Sequence, residues 1–194
     1  MYLGPPIDDP DILALLPLPF RNFLEQTNGY VAYHGGLHVR GACLAPAWHS
    51  LRRVWIGDHA LYILFPVLEA TDVPFAEDAL GDQYVLRDGY VQRLDAETGE
   101  LTALNADLAE FDAAVRANPI EFLNLGPLEN FRAQGGILEP GQLLSVYPPY
   151  CVEAGSADRS FRAIGAEDRI RFLASLASQL RDLPDGAQIK FEIG

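Results

Sequence analysis

The hydrophobic pattern of the first third of the chain predicts short helices and strands in alternation. Apolar residues at i, i+3 and i+4 spacing indicate a helix that begins at Pro19 and ends at a cap formed by Gly29. Two short apolar runs, at residues 30–33 and 37–39, are predicted as strands. A second helix is predicted at residues 47–55, where two tryptophans and a leucine share one side. The chain therefore begins with mixed helical and extended structure.

The middle of the chain carries the clearest pattern, two β-rich runs joined by Asp88-Gly89. Residues 83–87 and 90–94 flank this dipeptide. A two-residue Asp-Gly loop favours a type I′ hairpin, because both loop residues of that turn have positive φ. A longer turn at residues 95–99 leads into a third β-rich run at 100–104. Together these segments predict a three-stranded antiparallel meander.

Helical patterns follow the meander. Asp107 and Glu110 have the spacing of a capping box at the start of one helix, and Asn118-Pro119 ends it or starts another short one. A longer helix is predicted at residues 167–181, with five apolar side chains on one side. Residues 188–193 then alternate between apolar and polar types, which predicts a strand with one buried face.

These elements predict an α+β protein in which helices pack against a central twisted, mostly antiparallel sheet. A chain of 194 residues is long enough to bury a real core, since proteins of this size hide roughly 70% of their unfolded surface. Beyond about residue 125, Gly and Pro pairs follow one another closely. We therefore expect a main domain at residues 1–125 and a C-terminal helix–strand extension at 126–194 that packs on the same domain.

The charge balance narrows the classes of partner. The sequence has 27 acidic and 14 basic side chains, for a formal charge of -13. Such a field repels phosphate, so we expect neither nucleic acid nor an anionic membrane surface as a partner. It attracts basic proteins and speeds their encounter with the chain. The alternative is that the acidity serves solubility alone.

The sequence gives no sign of export or of membrane insertion. Residues 1–11 have neither the basic nor the apolar region of a signal peptide, and no run approaches the ~20 apolar residues of a membrane span. Two cysteines, Cys43 and Cys151, do not make a disulfide framework. We therefore expect a cytoplasmic protein with two free thiols.

Candidate residues for catalysis or metal binding are few. His34 and His38 have i, i+4 spacing, but Gly35-Gly36 between them argues against the helix that would bring them together. Cys43 has His38 and His49 nearby in sequence, yet its apolar flanks favour a buried structural thiol over a nucleophile. Nucleophile-elbow, phosphate-loop and dinucleotide motifs are all missing from the sequence. We expect no catalytic residues, no metal and no cofactor.

Three carboxylates cluster at Glu77, Asp78 and Asp82. One interpretation is a structural turn in which Gly81 has an unusual backbone angle and Asp82 acts as the cap. Another is an acidic patch that recognises a partner, and we take these three residues as candidate partner-binding residues. Catalysis by paired carboxylates is a third interpretation, and it requires two of them at a defined separation across a cleft.

The segment at residues 72–84, which reads D-x-P-F-A-E-D-x-x-G-D-x-Y, resembles the SUKH superfamily. This superfamily is named for the yeast Smi–Knr cell-wall synthesis regulators and includes bacterial immunity proteins. Further segments match in the same order: Leu16-Pro17, the helix at residues 20–24, Asn28-Gly29, Gly35-Gly36-Leu37-His38, and the Asp-x-Glu-Thr-Gly-Glu run at residues 95–100. The resemblance covers residues 15–123 and leaves the last seventy residues outside it.

The resemblance implies an α+β fold without catalytic machinery. Many bacterial members bind and neutralise a toxin domain, often a nuclease, and such toxins tend to have basic surfaces. Our leading hypothesis is therefore a non-catalytic immunity protein that binds a basic toxin domain. One alternative is a regulatory or scaffold protein unrelated to toxins, and another is a hydrolase that uses the three carboxylates with His34, His38 or His59. The oligomeric state stays open.

Overall fold

The computed structural model describes residues 1–152, 159–181 and 183 of the chain. The predicted strand at residues 188–193 lies outside this part. The strands are β1 (Tyr2–Leu3), β2 (Tyr30–Ala32), β3 (Leu37–Val39), β4 (Val73–Asp78), β5 (Gln83–Arg87), β6 (Tyr90–Leu94), β7 (Leu101–Ala103), β8 (Gln142–Tyr147) and β9 (Ser160–Gly165). The helices are α1 (Pro10–Leu15), α2 (Leu18–Gln26), α3 (Leu51–Trp55), α4 (Leu61–Leu64), α5 (Leu108–Ala117), α6 (Pro119–Phe122), α7 (Gly126–Ala133) and α8 (Ala166–Leu180).

Strands β1 to β7 form one sheet in simple sequence order, and each strand runs antiparallel to the next. The predicted α+β class with an antiparallel sheet is therefore confirmed. The hairpin of β5 and β6 pairs Arg87 with Tyr90, and its loop residues Asp88 and Gly89 have φ of 53° and 86°. These positive angles are those of the predicted type I′ turn.

The first face of the sheet is covered by α2 and α5. Phe75 on β4 contacts Phe20 of α2 and Phe111 of α5, with ring centroids 5.7 and 5.3 Å apart. Tyr84 on β5 also packs on Phe111, at 4.9 Å. The predicted capping box is present at the start of α5, where the Asp107 side chain accepts hydrogen bonds from backbone amides. Edge-to-face and tilted aromatic contacts thus hold both helices against the sheet.

The second face is covered by α4 and α8. Val85 and Leu94 point from β5 and β6 into a separate apolar cluster that includes Leu61 of α4 and Leu173 of α8. Alternation along the strands separates the two clusters, since neighbouring residues of a strand face opposite sides. The C-terminal part of the chain therefore packs on the same sheet as the N-terminal part. None of the described helices combines the length and apolar character that crossing a membrane requires.

Several elements differ from the sequence prediction. The helix predicted at residues 47–55 is confined to the single turn of α3, because residues 47–49 form a turn and Ser50 forms a β-bridge with Gly41. Beyond residue 125, the dense Gly and Pro pairs concealed both α7 and the β8–β9 hairpin. Leu143 of β8 joins the cluster on the second face and Leu144 joins the one on the first. The hairpin consequently closes one end of the core.

Candidate functional site

Asp78 organises the tight turn between β4 and β5. Its Oδ1 accepts hydrogen bonds from the backbone amides of Leu80, Gly81 and Asp82, at 2.9, 3.0 and 3.1 Å. Gly81 has the unusual backbone angle that the sequence predicted, with φ of 104°. The prediction that Asp82 is the cap is wrong, because Asp78 receives all three amides. Burial raises the pKa of Asp78 well above its usual range.

Asp82 ties this turn to the next one. Its Oδ2 accepts a hydrogen bond of 3.0 Å from Nε of Arg93, and its Oδ1 accepts one of the same length from the backbone amide of Ala96. Burial raises the pKa of Asp82, while Arg93 opposes that effect. Asp78 and Asp82 are 1% and 8% exposed, so both serve the fold and offer little surface to a partner.

Glu77 belongs to a buried polar network on the second face of the sheet, which we define as His38, Arg40, His49, Glu77 and Gln83. Its Oε2 accepts hydrogen bonds from Arg40 and Gln83, at 2.7 and 3.2 Å, and its Oε1 lies 2.9 Å from Nδ1 of His38. Burial alone raises the pKa of Glu77, but Arg40 and His38 outweigh it and hold the pKa at about 2. With 4% exposure, Glu77 too is engaged inside the protein.

The two histidines of the network continue the chain of hydrogen bonds. Nε2 of His38 lies 2.9 Å from Nδ1 of His49, whose Nε2 lies 2.8 Å from the carbonyl oxygen of Asn28. Burial lowers the pKa of His49 to about 4. Burial also lowers the pKa of His38, an effect that the carboxylate of Glu77 opposes.

The network leaves no histidine nitrogen available for acid–base catalysis. Both ring nitrogens of His38 and His49 are occupied by the contacts just described, and His49 is fully buried. His34, by contrast, is exposed at a positive φ of 59° and lies outside the network. A general base must reach the proton it removes. Glu77 is therefore not paired with an accessible histidine, as the hydrolase alternative would require.

The remaining candidate residues are dispersed. Cys43 is fully buried, and burial raises the pKa of its thiol to about 11, which suits a structural side chain. Cys43 and Cys151 are both free thiols. Within residues 1–152, 159–181 and 183, no group of three metal-ligating side chains comes together.

A cleft of about 330 Å³ lies above the network, between α3–α4 and α8. Arg40 and Glu77 form part of its floor. Apolar side chains line its walls, among them Trp48, Val54, Leu61, Leu64 and Ile170. Sequence reasoning missed this cleft, because its two sides are separated by about a hundred residues and no local pattern relates them.

The rim of the cleft holds one carboxylate among three basic side chains. Glu167 of α8 lies 2.7 Å from Nη2 of Arg171, 2.8 Å from Nη2 of Arg53 and 3.6 Å from Nδ1 of His59. The hydrogen bond from Arg53 lowers the pKa of Glu167. Arg53 and Arg171 are 39% and 53% exposed, so a solute can reach both. The rim is thus a positively charged spot on an acidic protein.

A second concavity, the α2–α5 groove, lies on the first face and has a volume of about 240 Å³. Its floor is aromatic and aliphatic, and its lining includes Phe23, Tyr30, Leu108 and Ala109. Asp112 of α5 stands at its edge. This groove combines an apolar interior with one carboxylate at its edge, which is paired with Arg116.

Comparisons with known proteins define the fold and leave the function open. No protein-family model matches the chain, and no curated protein does. Among solved structures, the crystal structure of Atu4351 from Agrobacterium tumefaciens is similar, with a TM-score of 0.54 and 14% sequence identity. The match covers 89% of this chain and 81% of that one. At this identity the likeness concerns the fold alone, and the SUKH resemblance stays a prediction.

Proposed function

We propose that this protein is a non-catalytic binding protein of immunity type, which acts in the cytoplasm by binding and neutralising a basic toxin domain. The observation that carries the proposal is which charged side chains are paired within the protein and which face solvent. Most of its arginines form ion pairs with acidic side chains of the same chain, whereas many of its acidic side chains face solvent. The negative field is therefore directed outward, where a basic partner would meet it.

The internal pairing of arginines is visible at two buried carboxylates. Arg52 donates to Asp9 at 2.6 Å, and Arg87 donates to Asp72 at 2.6 Å. Asp9 and Asp72 are each 2% exposed at the side chain, so these arginines are engaged in holding the fold together. The sequence has a single lysine, Lys190, outside the described residues. Few basic groups therefore offset the exposed acids.

The α2–α5 groove is the surface that best fits such a partner. Further exposed acidic side chains stand on its two helices and on the two helices that follow: Glu25, Asp107, Glu110, Glu121 and Glu129. Leu18, the first residue of α2, is 64% exposed, and α2 forms one side of the groove. An apolar anchor bordered by complementary charge is the usual arrangement at the centre of a protein interface. The occupant we infer is an apolar side chain of a basic protein, flanked by lysine or arginine.

A co-expression experiment tests the function. The protein is produced in bacteria together with the product of the gene next to its own. Cell survival and the dissociation constant of the purified pair are then measured. We expect survival, and a complex whose association rate falls as salt is raised from low to physiological concentration. Absence of both rescue and binding would overturn the immunity function. Binding of a partner that is not toxic would favour the regulatory or scaffold alternative.

A matched pair of variants tests the groove. Ala109→Arg places a long cation in the groove from the exposed side of α5, and arginine is a good helix former. Ala133→Arg adds the same side chain to an exposed position of α7 that does not line the groove. We expect Ala109→Arg to abolish protection and Ala133→Arg to preserve it. Equal protection by both variants would exclude the groove as the contact surface.

A further inference from the structure

The cleft on the second face has a feature that binding of a basic protein does not explain, a positive rim on a chain of charge -13. Arg53, His59 and Arg171 converge there on the single carboxylate of Glu167. Arg116, for comparison, has the carboxylate of Asp112 to itself. At the rim, two arginines share one carboxylate, and the excess positive charge favours binding of an anion.

The floor of the cleft contains a buried arginine. Arg40 is 1% exposed, and its Nε has no hydrogen-bond partner among the described residues. Its charge is paired with the carboxylate of Glu77 at 2.7 Å. The excess positive charge of the cleft therefore lies at the rim, where Arg53 and Arg171 share the carboxylate of Glu167.

The walls of the cleft determine what kind of anion it suits. They are mostly apolar, and Trp48 contributes an aromatic surface between the floor and the rim. A volume of about 330 Å³ falls at the lower end of the range for small-molecule sites, which is about 300–1,000 Å³. Apolar walls favour burial of a hydrocarbon or aromatic body, and the few polar groups at the rim fix its orientation.

We propose that the cleft binds a small amphipathic carboxylate, with its apolar body between the walls and its carboxylate at Arg53 and Arg171. Glu167 shows that the rim accommodates this group, since its own carboxylate already lies 2.8 and 2.7 Å from the guanidinium nitrogens of the two arginines. The ligand's carboxylate competes with Glu167 for these donors. A carboxylate fits better than a phosphate, because a second negative charge is repelled by the acidic chain as a whole. This site is independent of the proposed toxin binding.

Isothermal titration calorimetry with defined probes tests the proposal. Octanoate is titrated into the purified chain, with 1-octanol, octylammonium and inorganic phosphate as comparisons that change the charge, its sign or the apolar body. We expect octanoate to bind saturably at one site, and each comparison to bind at least tenfold more weakly. Equal affinity for octanoate and 1-octanol, or preference for inorganic phosphate, would overturn the assignment of a carboxylate site.

Two variants of opposite effect locate the site. Arg171→Gln removes one of the two donors, and we expect octanoate to bind about fivefold more weakly. Glu167→Gln removes the competing carboxylate, and we expect binding to become about fivefold tighter. Both positions are exposed on α8, so thermal unfolding should show that the variants stay folded.

Arg116→Gln is the matched control, because Arg116 also forms an i, i+4 ion pair on a helix surface but stands away from the cleft. Octanoate should bind this variant as it binds the wild type. Weakening by Arg116→Gln equal to that by Arg171→Gln would show that general charge, and not the cleft, attracts the probe. If Glu167→Gln does not bind octanoate more tightly than the wild type, Glu167 does not compete for the two arginines, and the proposal is contradicted.

Discussion

The two faces of the central sheet are built from the same strands by opposite chemistry. On β3, Leu37 and Val39 enter the aromatic core of the first face, whereas His38 joins the buried polar network of the second. On β5, Tyr84 packs against α5 while Gln83 donates to Glu77. The alternating direction of side chains along a strand makes this division possible.

The comparison shows how differently the two faces depend on their contacts. The first face is stabilised by non-directional burial of apolar surface, which tolerates partial loss of a contact. The second face places an arginine, a carboxylate and two histidines where water is excluded, and each group there needs its partner. Substitutions on the second face should therefore be the more costly, and the following predictions test that order.

Removal of one charge from the buried polar network should have the largest effect. Arg40→Met deletes the guanidinium that Glu77, Gln83 and the carbonyl of Pro74 use, and leaves a carboxylate buried without its cation. We expect a loss of about 4 kcal/mol of unfolding free energy, measured by urea denaturation. The double variant Arg40→Met/Glu77→Gln should recover part of this loss. If the double variant is destabilised by the sum of both single changes, the two groups are not coupled.

Asp78 should come next, with a contrast between two substitutions. Asp78→Ala leaves three backbone amides of the turn without their acceptor, which we expect to cost about 3 kcal/mol. Asp78→Asn keeps an oxygen in the same place and avoids burying a charge, so about 1 kcal/mol is expected. Chemical denaturation of both variants measures the difference. Equal losses would mean that the amides do not depend on this side chain.

The pH dependence of stability should be traceable to the network, with a smaller effect. The pKa of His49 is about 4 in the folded protein and about 6.5 in the unfolded chain. The unfolded state therefore binds the proton first, and stability should fall as the pH is lowered from about 6.5 to about 4. His49→Gln, which can also donate to Asn28, should flatten this part of the curve, whereas the exposed His34→Gln should keep its shape. An unchanged curve for His49→Gln would exclude this origin.

Loss of an exposed ion pair beside the first face should have the smallest effect. Arg116 donates to Asp112 at 2.7 Å, and its side chain is 70% exposed. Such pairs contribute little, since both groups are well hydrated when separated. We expect Arg116→Gln to change the unfolding free energy by less than about 0.5 kcal/mol in urea denaturation. A loss above about 1 kcal/mol would mean that the border of the α2–α5 groove has a structural role.

The sequence by itself determined the features that depend on neighbouring residues. The Asp88-Gly89 turn, the capping box at Asp107 and the apolar side of α8 were all predicted, because backbone angles, caps and helical periodicity are local properties. The α+β class followed from the order of these elements. The resemblance of residues 72–84 to the SUKH superfamily and the immunity function remain predictions.

Only the tertiary structure decided what the polar residues do. Glu77 meets His38 and Arg40 because β3 pairs with β4, across 39 and 37 positions of sequence. The cleft needs α8 to return against α3, which brings Glu167 to Arg53 over a separation of 114 residues. Pairings between distant segments leave no periodic signal in the chain. Glu77, a candidate partner-binding residue by sequence, is therefore found inside the protein in the buried polar network. The same packing brought together the positive rim, which the net charge of -13 does not predict.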